Sequence, residues 1–187
     1  MHFNTYGGTG AFVSAALVNA PDHTPAVLAP ILRAHEITAP DIDDAQAARL
    51  SPWIERLRPV FGAGLAAQMA TVNRLLADAA TQVQISVHGG SAPHLHYVSQ
   101  ALDTAERLRG TTAGGLAVAI CGAGGGRLGR CGRTGCGLAF VDTSRNGRRR
   151  FCSVTCANRV NVAAHRARNA DTAQPPADVA AHRARTR

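Results

Sequence analysis

The sequence predicts an α+β protein: a mostly helical N-terminal domain with one β-hairpin, followed by a small four-cysteine module built of a hairpin and a helix. Three observations lead there. Apolar residues recur at helical spacing through the first eighty positions. The period then drops to two near residue 82, which is the spacing of a strand. Four of the five cysteines fall in the last third, in the stretch where the charge turns strongly positive.

Taken in order, "FNTYGGTGAFVSAALVNA" reads as a turn leading into a helix over about 9–19. Gly7, Gly8 and Gly10 suggest a phosphate loop only superficially, because no strand precedes them and no Gly-Lys-Ser/Thr follows. Thr24 and Pro25 start a second helix, which Pro30 shortens or kinks. "APDIDDAQAARLSPWIERLRPVFG" gives one or two helices with Leu50, Trp53, Ile54 and Leu57 on one face and Pro52 near a start capped by Ser51. "AGLAAQMATVNRLLADAA" is amphipathic, with Leu65, Met69, Val72 and Leu76 aligned and Leu75 beside them. "TQVQISVHGG" alternates as a half-buried strand, and "HLHYVS" after Gly89, Gly90 and Pro93 is its hairpin partner. A helix resumes at "AERLRGTTAGGLAVAICGAGG", its register obscured by Gly114 and Gly115, with Cys121 as a buried core thiol. "GAGGGRLGR" is a linker, so the expected domains are 1–125, a cysteine module over 126–169 and a flexible basic tail over 170–187.

Charge divides the chain in the same place. Residues 1–126 hold seven Arg against nine Asp and Glu, a net −2, whereas residues 127–187 hold thirteen Arg against three Asp, a net +10; together these make the chain's +8. The first part reads as a neutral soluble domain and the last as a module for a polyanionic partner. No run reaches the ~20 apolar residues of a membrane span. The N-terminus lacks the basic and apolar regions of a signal peptide, so no membrane association and a cytoplasmic location are expected.

The cysteine spacing is Cys131-x4-Cys136-x15-Cys152-x3-Cys156. Two short loops can each aim two thiolates at one ion, and the fifteen residues between them suffice for a hairpin that returns the chain. Zinc suits four soft thiolates and has a purely structural role when every position is filled. An iron–sulfur cluster would use the same ligands. Disulfides need an oxidising compartment, and redox sites favour Cys-x2-Cys. The expected cofactor is therefore one structural Zn2+. Asn146–Gly147 marks the tip of a hairpin running to Phe151. Cys156 opens a helix on which Asn158, Asn161, His165 and Arg168 share a face flanked by Arg159 and Arg166, with Val160, Ala163, Ala164 and Ala167 opposite. These polar side chains can bond phosphate oxygens or base edges, and Arg145, Arg148, Arg149 and Arg150 add a second basic strip. A solvated helix face is the bland alternative. Double-stranded DNA is preferred over RNA because a helix fits its major groove and stacking aromatics are scarce here.

The stretch "RCGRTGCGLAFVDTSRNGRRRFCSVTCANRVNVAAHRAR" resembles the CGNR-type zinc finger of bacterial proteins. The resemblance is dense over about 128–168: the four cysteines, the Asp142-x-Ser144-Arg145-Asn146 turn, the Arg149-Arg150-Phe151-Cys152 entry and the Asn158–Arg168 helix. The naming motif stands here as Cys156-Ala157-Asn158-Arg159, with alanine in place of glycine. "FNTYGG" and "PHLHY" resemble the ABATE domain that precedes this finger in putative stress-induced transcription regulators. The resemblance implies a zinc-dependent bacterial transcription regulator with a treble-clef-like finger. Its N-terminal domain would sense a small-molecule effector or stress signal, or form a homodimer. A zinc-stabilised protein-interaction adaptor or RNA-binding protein is the alternative. No nucleophile–base pair or paired carboxylates are evident, so no enzymatic activity is expected. His88, His94 and His96 cluster around the hairpin as the candidate effector, haem or second metal site, with polar histidines on a strand face, or one bonded inside the domain, as the bland alternative.

Overall fold

A computed structural model describes residues 5–37, 39–79, 82–87, 93–99 and 101–173. The elements are α1 (Thr5–Val18), α2 (Pro25–Ala34), α3 (Asp44–Leu57), a 3-10 turn (Arg58–Val60), α4 (Leu65–Asp78), β1 (Gln84–Ser86), β2 (His94–His96), α5 (Thr104–Ala123), β3 (Leu128–Arg130), β4 (Ala139–Val141) and α6 (Val154–Ala173). The α+β expectation holds. Two short antiparallel hairpins, β1–β2 and β3–β4, accompany the helices. Among the described residues, no helix is long and apolar enough to cross a membrane.

The chain divides into two compact units, Met1–Cys152 and Ser153–Arg187. In the first, α5 is the central element, packed against α1, α3 and α4. Asp103 starts α5 by accepting a hydrogen bond from the Glu106 amide, and Gly124 ends it in the left-handed conformation (φ +62°). The glycines that obscure its register in the sequence do not break it. They are points of close approach: a Cβ on Gly115 would lie 2.4 Å from the Gly10 Cα on α1, and one on Gly114 would lie 2.3 Å from the Tyr97 ring. Gly10 therefore sits inside α1, which starts at Thr5 rather than near residue 9.

The α3 face is as expected, with Leu50, Trp53, Ile54 and Leu57 all buried. Its start is not. Asp43 caps the helix by accepting from the Gln46 amide (2.7 Å), and Pro52 lies within it, while Ser51 instead bonds His23 Nδ1 (2.7 Å). On α4 the buried positions are Gln68, Val72 and Leu75, and Leu65 and Met69 are half exposed. The expected stripe is thus rotated by about one residue, because Gln68 enters the interior and donates to the Val60 carbonyl (3.0 Å). The β1–β2 hairpin forms, but its apolar face is turned out: Val83, Ile85 and Val87 are 62–75% exposed. Cys121, expected in the core, is exposed near the end of α5.

The β3–β4 hairpin belongs by packing with the helices. Leu128, Ala139 and Val141 join the core cluster, and β4 packs on α1. Its edges are tied down. The Asn19 side-chain amide donates to the Ala139 carbonyl (2.8 Å) and accepts from the Ala139 amide (2.9 Å), so it pairs β4 as a neighbouring strand would. The Gly62 amide donates to the Leu128 carbonyl (2.8 Å). The sequence boundary near 125 marks the change in charge, whereas the compact units divide after Cys152.

The second unit is built on α6, which continues past residue 169 to Ala173. Residues 174–187, the rest of the expected tail, lie outside the described residues.

Two substitutions on α5 separate close packing from helix propensity. Gly115→Ala forces the α1 and α5 backbones apart and should cost roughly 1–3 kcal/mol. Gly122→Ala has nothing within 4 Å of the new methyl and should gain about 0.5–1 kcal/mol. Denaturant unfolding of both variants checks the opposite signs.

Candidate metal centre

The first cysteine loop is a tight knuckle between β3 and β4. The Cys131 amide donates to the Leu138 carbonyl (2.9 Å), and the Cys136 amide donates to the Arg133 carbonyl (3.0 Å). Gly135 and Gly137 flank Cys136 at φ +75° and +64°, the left-handed backbone that turns the chain around the ligand. The second loop runs from Cys152 into α6. Ser153 caps that helix, its hydroxyl accepting from the Cys156 amide (3.2 Å), so Cys156 sits in the first turn. A thiolate's negative charge is favoured there.

The Sγ atoms of Cys131, Cys136, Cys152 and Cys156 all lie within 4.8 Å of one another. Cys131 and Cys156 are buried, Cys136 and Cys152 half-buried, and none of the four is in a disulfide. Cys136 Sγ and Cys152 Sγ are 3.7 Å apart. A tetrahedron of sulfurs at ~2.3 Å from zinc has edges of about 3.8 Å, whereas a disulfide bond measures ~2.05 Å. The donor set and its spacing therefore fit one structural Zn2+, with no position left for a reacting water.

Asp142 organises the chain between the two ligand pairs, a role the sequence reading did not give it. It is only 1% exposed. Its carboxylate accepts from the Ser144 amide (2.8 Å) and the Arg149 amide (2.7 Å). Burial alone would raise the carboxyl, but the hydrogen bonds from Ser144 and the Arg149 amide, with Arg127 nearby, hold it below the usual range. Arg127 reinforces the loop by donating to the Asp142 (2.8 Å) and Ser144 (2.7 Å) carbonyls. The expected Asn146–Gly147 turn is present, with Gly147 at φ +61°. However, β4 is laddered to β3 rather than to residues 148–150. Asp142 takes the Arg149 amide, so that segment closes as a carboxylate-centred loop.

The predicted basic residues fall into two groups. Arg149 is committed to the protein. Its guanidinium donates to the carbonyls of Phe151 (2.8 Å) and the ligand Cys152, and it lies over the Phe140 ring at 5.3 Å. It braces the chain at the third ligand. Arg145, Arg148 and Arg150 are exposed on the loop, Arg150 lying 5.8 Å from the Phe151 ring centroid.

On α6, Asn158, Arg159, Asn161, His165, Arg166 and Arg168 are all exposed. The expected inward stripe is not: Val160 is half-buried, but Ala163, Ala164 and Ala167 are exposed. A shallow depression of about 410 Å³ is lined by Thr155, Asn158, Arg159, Val162, Ala163 and Arg166. Of the three hairpin histidines, His94 and His96 meet, with Nε2 atoms 3.0 Å apart, and His88 lies outside the described residues.

Asp142→Ala leaves two amides without their acceptor and should cost about 1–3 kcal/mol. It should also weaken zinc about 10–100-fold by freeing the Arg149 brace, as read by competition with a chelating dye. Because the folded carboxyl lies below its unfolded value of ~3.9, its stabilisation is complete above that value and is lost as pH falls through the folded value. The stability gap between native protein and Asp142→Asn should thus stay flat from pH 8 to about 5 and narrow below it.

Residues 127–169 match the family model of the CGNR zinc finger. No curated protein matches the chain. Family match and ligand geometry agree that this stretch is a zinc-binding module with Cys131, Cys136, Cys152 and Cys156 as its ligands.

Proposed function

We propose that the chain is a zinc-dependent, DNA-binding transcription regulator that acts in the cytoplasm. Duplex DNA is contacted by α6 and by Arg145, Arg148 and Arg150. The observation that carries this reading is the exposed face of α6. It offers Asn and Arg donors for phosphates and base edges beside a small apolar floor of Val162 and Ala163, on a helix whose first turn supplies a zinc ligand. Residues 127–187 carry thirteen Arg against three Asp, the electrostatic footprint of a phosphate-binding module. A helix of this kind fits the major groove, where the apolar floor suits a thymine methyl.

The helical N-terminal part, with its ABATE-like "FNTYGG" and "PHLHY" stretches, serves as the sensing or dimerising part, its input a stress signal or a small effector. The zinc has no open position for chemistry, which supports a regulator rather than an enzyme. The same apolar floor between Arg159 and Arg166 also suits an acidic protein partner, and this is the second reading.

Arg159→Ala with Arg166→Ala should weaken binding to duplex DNA and lower the slope of log affinity against log salt by about two. Arg74→Ala, on the exposed side of α4, should leave both unchanged. Fluorescence anisotropy across a salt series reads the result. An unaltered slope in the double variant overturns the reading, and a protein partner retained in excess duplex favours the second.

A further inference from the structure

The β1–β2 hairpin is built the wrong way round for a simple structural ribbon. In its register Ile85 opposes Leu95, and these two side chains are 75% and 48% exposed. Gln84 opposes His96, Ser86 opposes His94, and this polar face holds the two histidines half-buried. Residues two apart on a strand point the same way, so both imidazoles project from one face. Their Nε2 atoms are 3.0 Å apart, with ring centroids at 4.9 Å and planes tilted by 40°.

We propose that His94 and His96 chelate a divalent transition-metal ion, separate from the cysteine-bound zinc. The two Nε2 atoms are hydrogen-bonded to each other at 3.0 Å. Two metal–nitrogen bonds of ~2.05 Å can span that separation, so one ion taking the place of the shared proton would hold both rings with little movement.

Imidazole donors suit divalent ions such as Ni2+ and Cu2+, with water completing the shell. Ser86 and Gln84 stand opposite the histidines in the strand register. The cysteine site differs in every respect: soft donors, a closed tetrahedron and no water.

The test uses the full-length protein with one zinc already bound, so that the thiolates are occupied. Ni2+ is titrated in, uptake is followed by calorimetry and metal analysis, and the imidazole resonances are followed by NMR. The expected result is one Ni2+ per chain with zinc retained, and paramagnetic broadening first at His94 and His96. His94→Ala and His96→Ala should each weaken that step by at least about ten-fold. Absence of Ni2+ uptake beyond the zinc, unchanged affinity in both variants, or broadening that starts at other histidines overturns the proposal. If either variant disturbs the hairpin, the broadening in the native protein decides alone.

Discussion

Three residues of β4 carry two obligations at once. Ala139, Phe140 and Val141 are all buried; Ala139 and Val141 join the helical core, while Phe140 between them faces Gly129 and Arg149, and the strand follows directly on the cysteine knuckle. A buried strand must satisfy its amides and carbonyls on both edges. One edge of β4 is laddered to β3, and the other is met at Ala139 by the Asn19 side chain, which mimics a neighbouring strand with one donor and one acceptor. That pair of hydrogen bonds, 120 residues apart in sequence, fixes where the hairpin sits. Cys131 follows β3 and Cys136 precedes β4, so the first half of the metal site rests on the helical core.

This dependence explains how the module can be so small. Few large side chains are available in 127–169, and a stretch of this length seldom folds on its own core. Here the strands borrow the core of the helical unit, the loop is drawn round a buried carboxylate, and the thiolates supply the rest. Helix α6 is the part left over. Cys156 is buried, Ala157 and Val160 are half-buried, and every other described side chain from 158 to 169 is exposed. An isolated helix of twenty residues gains little from packing, so its capped, metal-bound first turn fixes its start.

Much of this was legible in the residues. The ligand set follows from cysteine spacing, the α3 face from its 3.6-residue period, and the β1–β2 hairpin from alternation and the Gly89–Gly90 pair in the sequence. What was hidden depended on contacts across the chain. Gly114 and Gly115 look like helix breakers until α1 and Tyr97 are seen lying against them. Gln68 looks like a surface residue until the Val60 carbonyl claims it. Alternation shows that one face of β1 is apolar, but not that this face is turned to solvent. Arg149 is indistinguishable in sequence from its neighbours, and only the carbonyls of Phe151 and Cys152 give it a different task. Asp142 had one usable signal, a lone acid in a run of arginines, which is the composition of an internal anchor.

If the zinc knuckle and the helical core share β3 and β4, removing the metal must be felt in the core. Amide hydrogen exchange before and after chelation measures this directly. The Ala139 and Gly62 amides, bonded to Asn19 and Leu128, should exchange at least about ten-fold faster without zinc, while amides in α2 hold their protection. Unchanged protection at Ala139 and Gly62 in the zinc-free protein would contradict it.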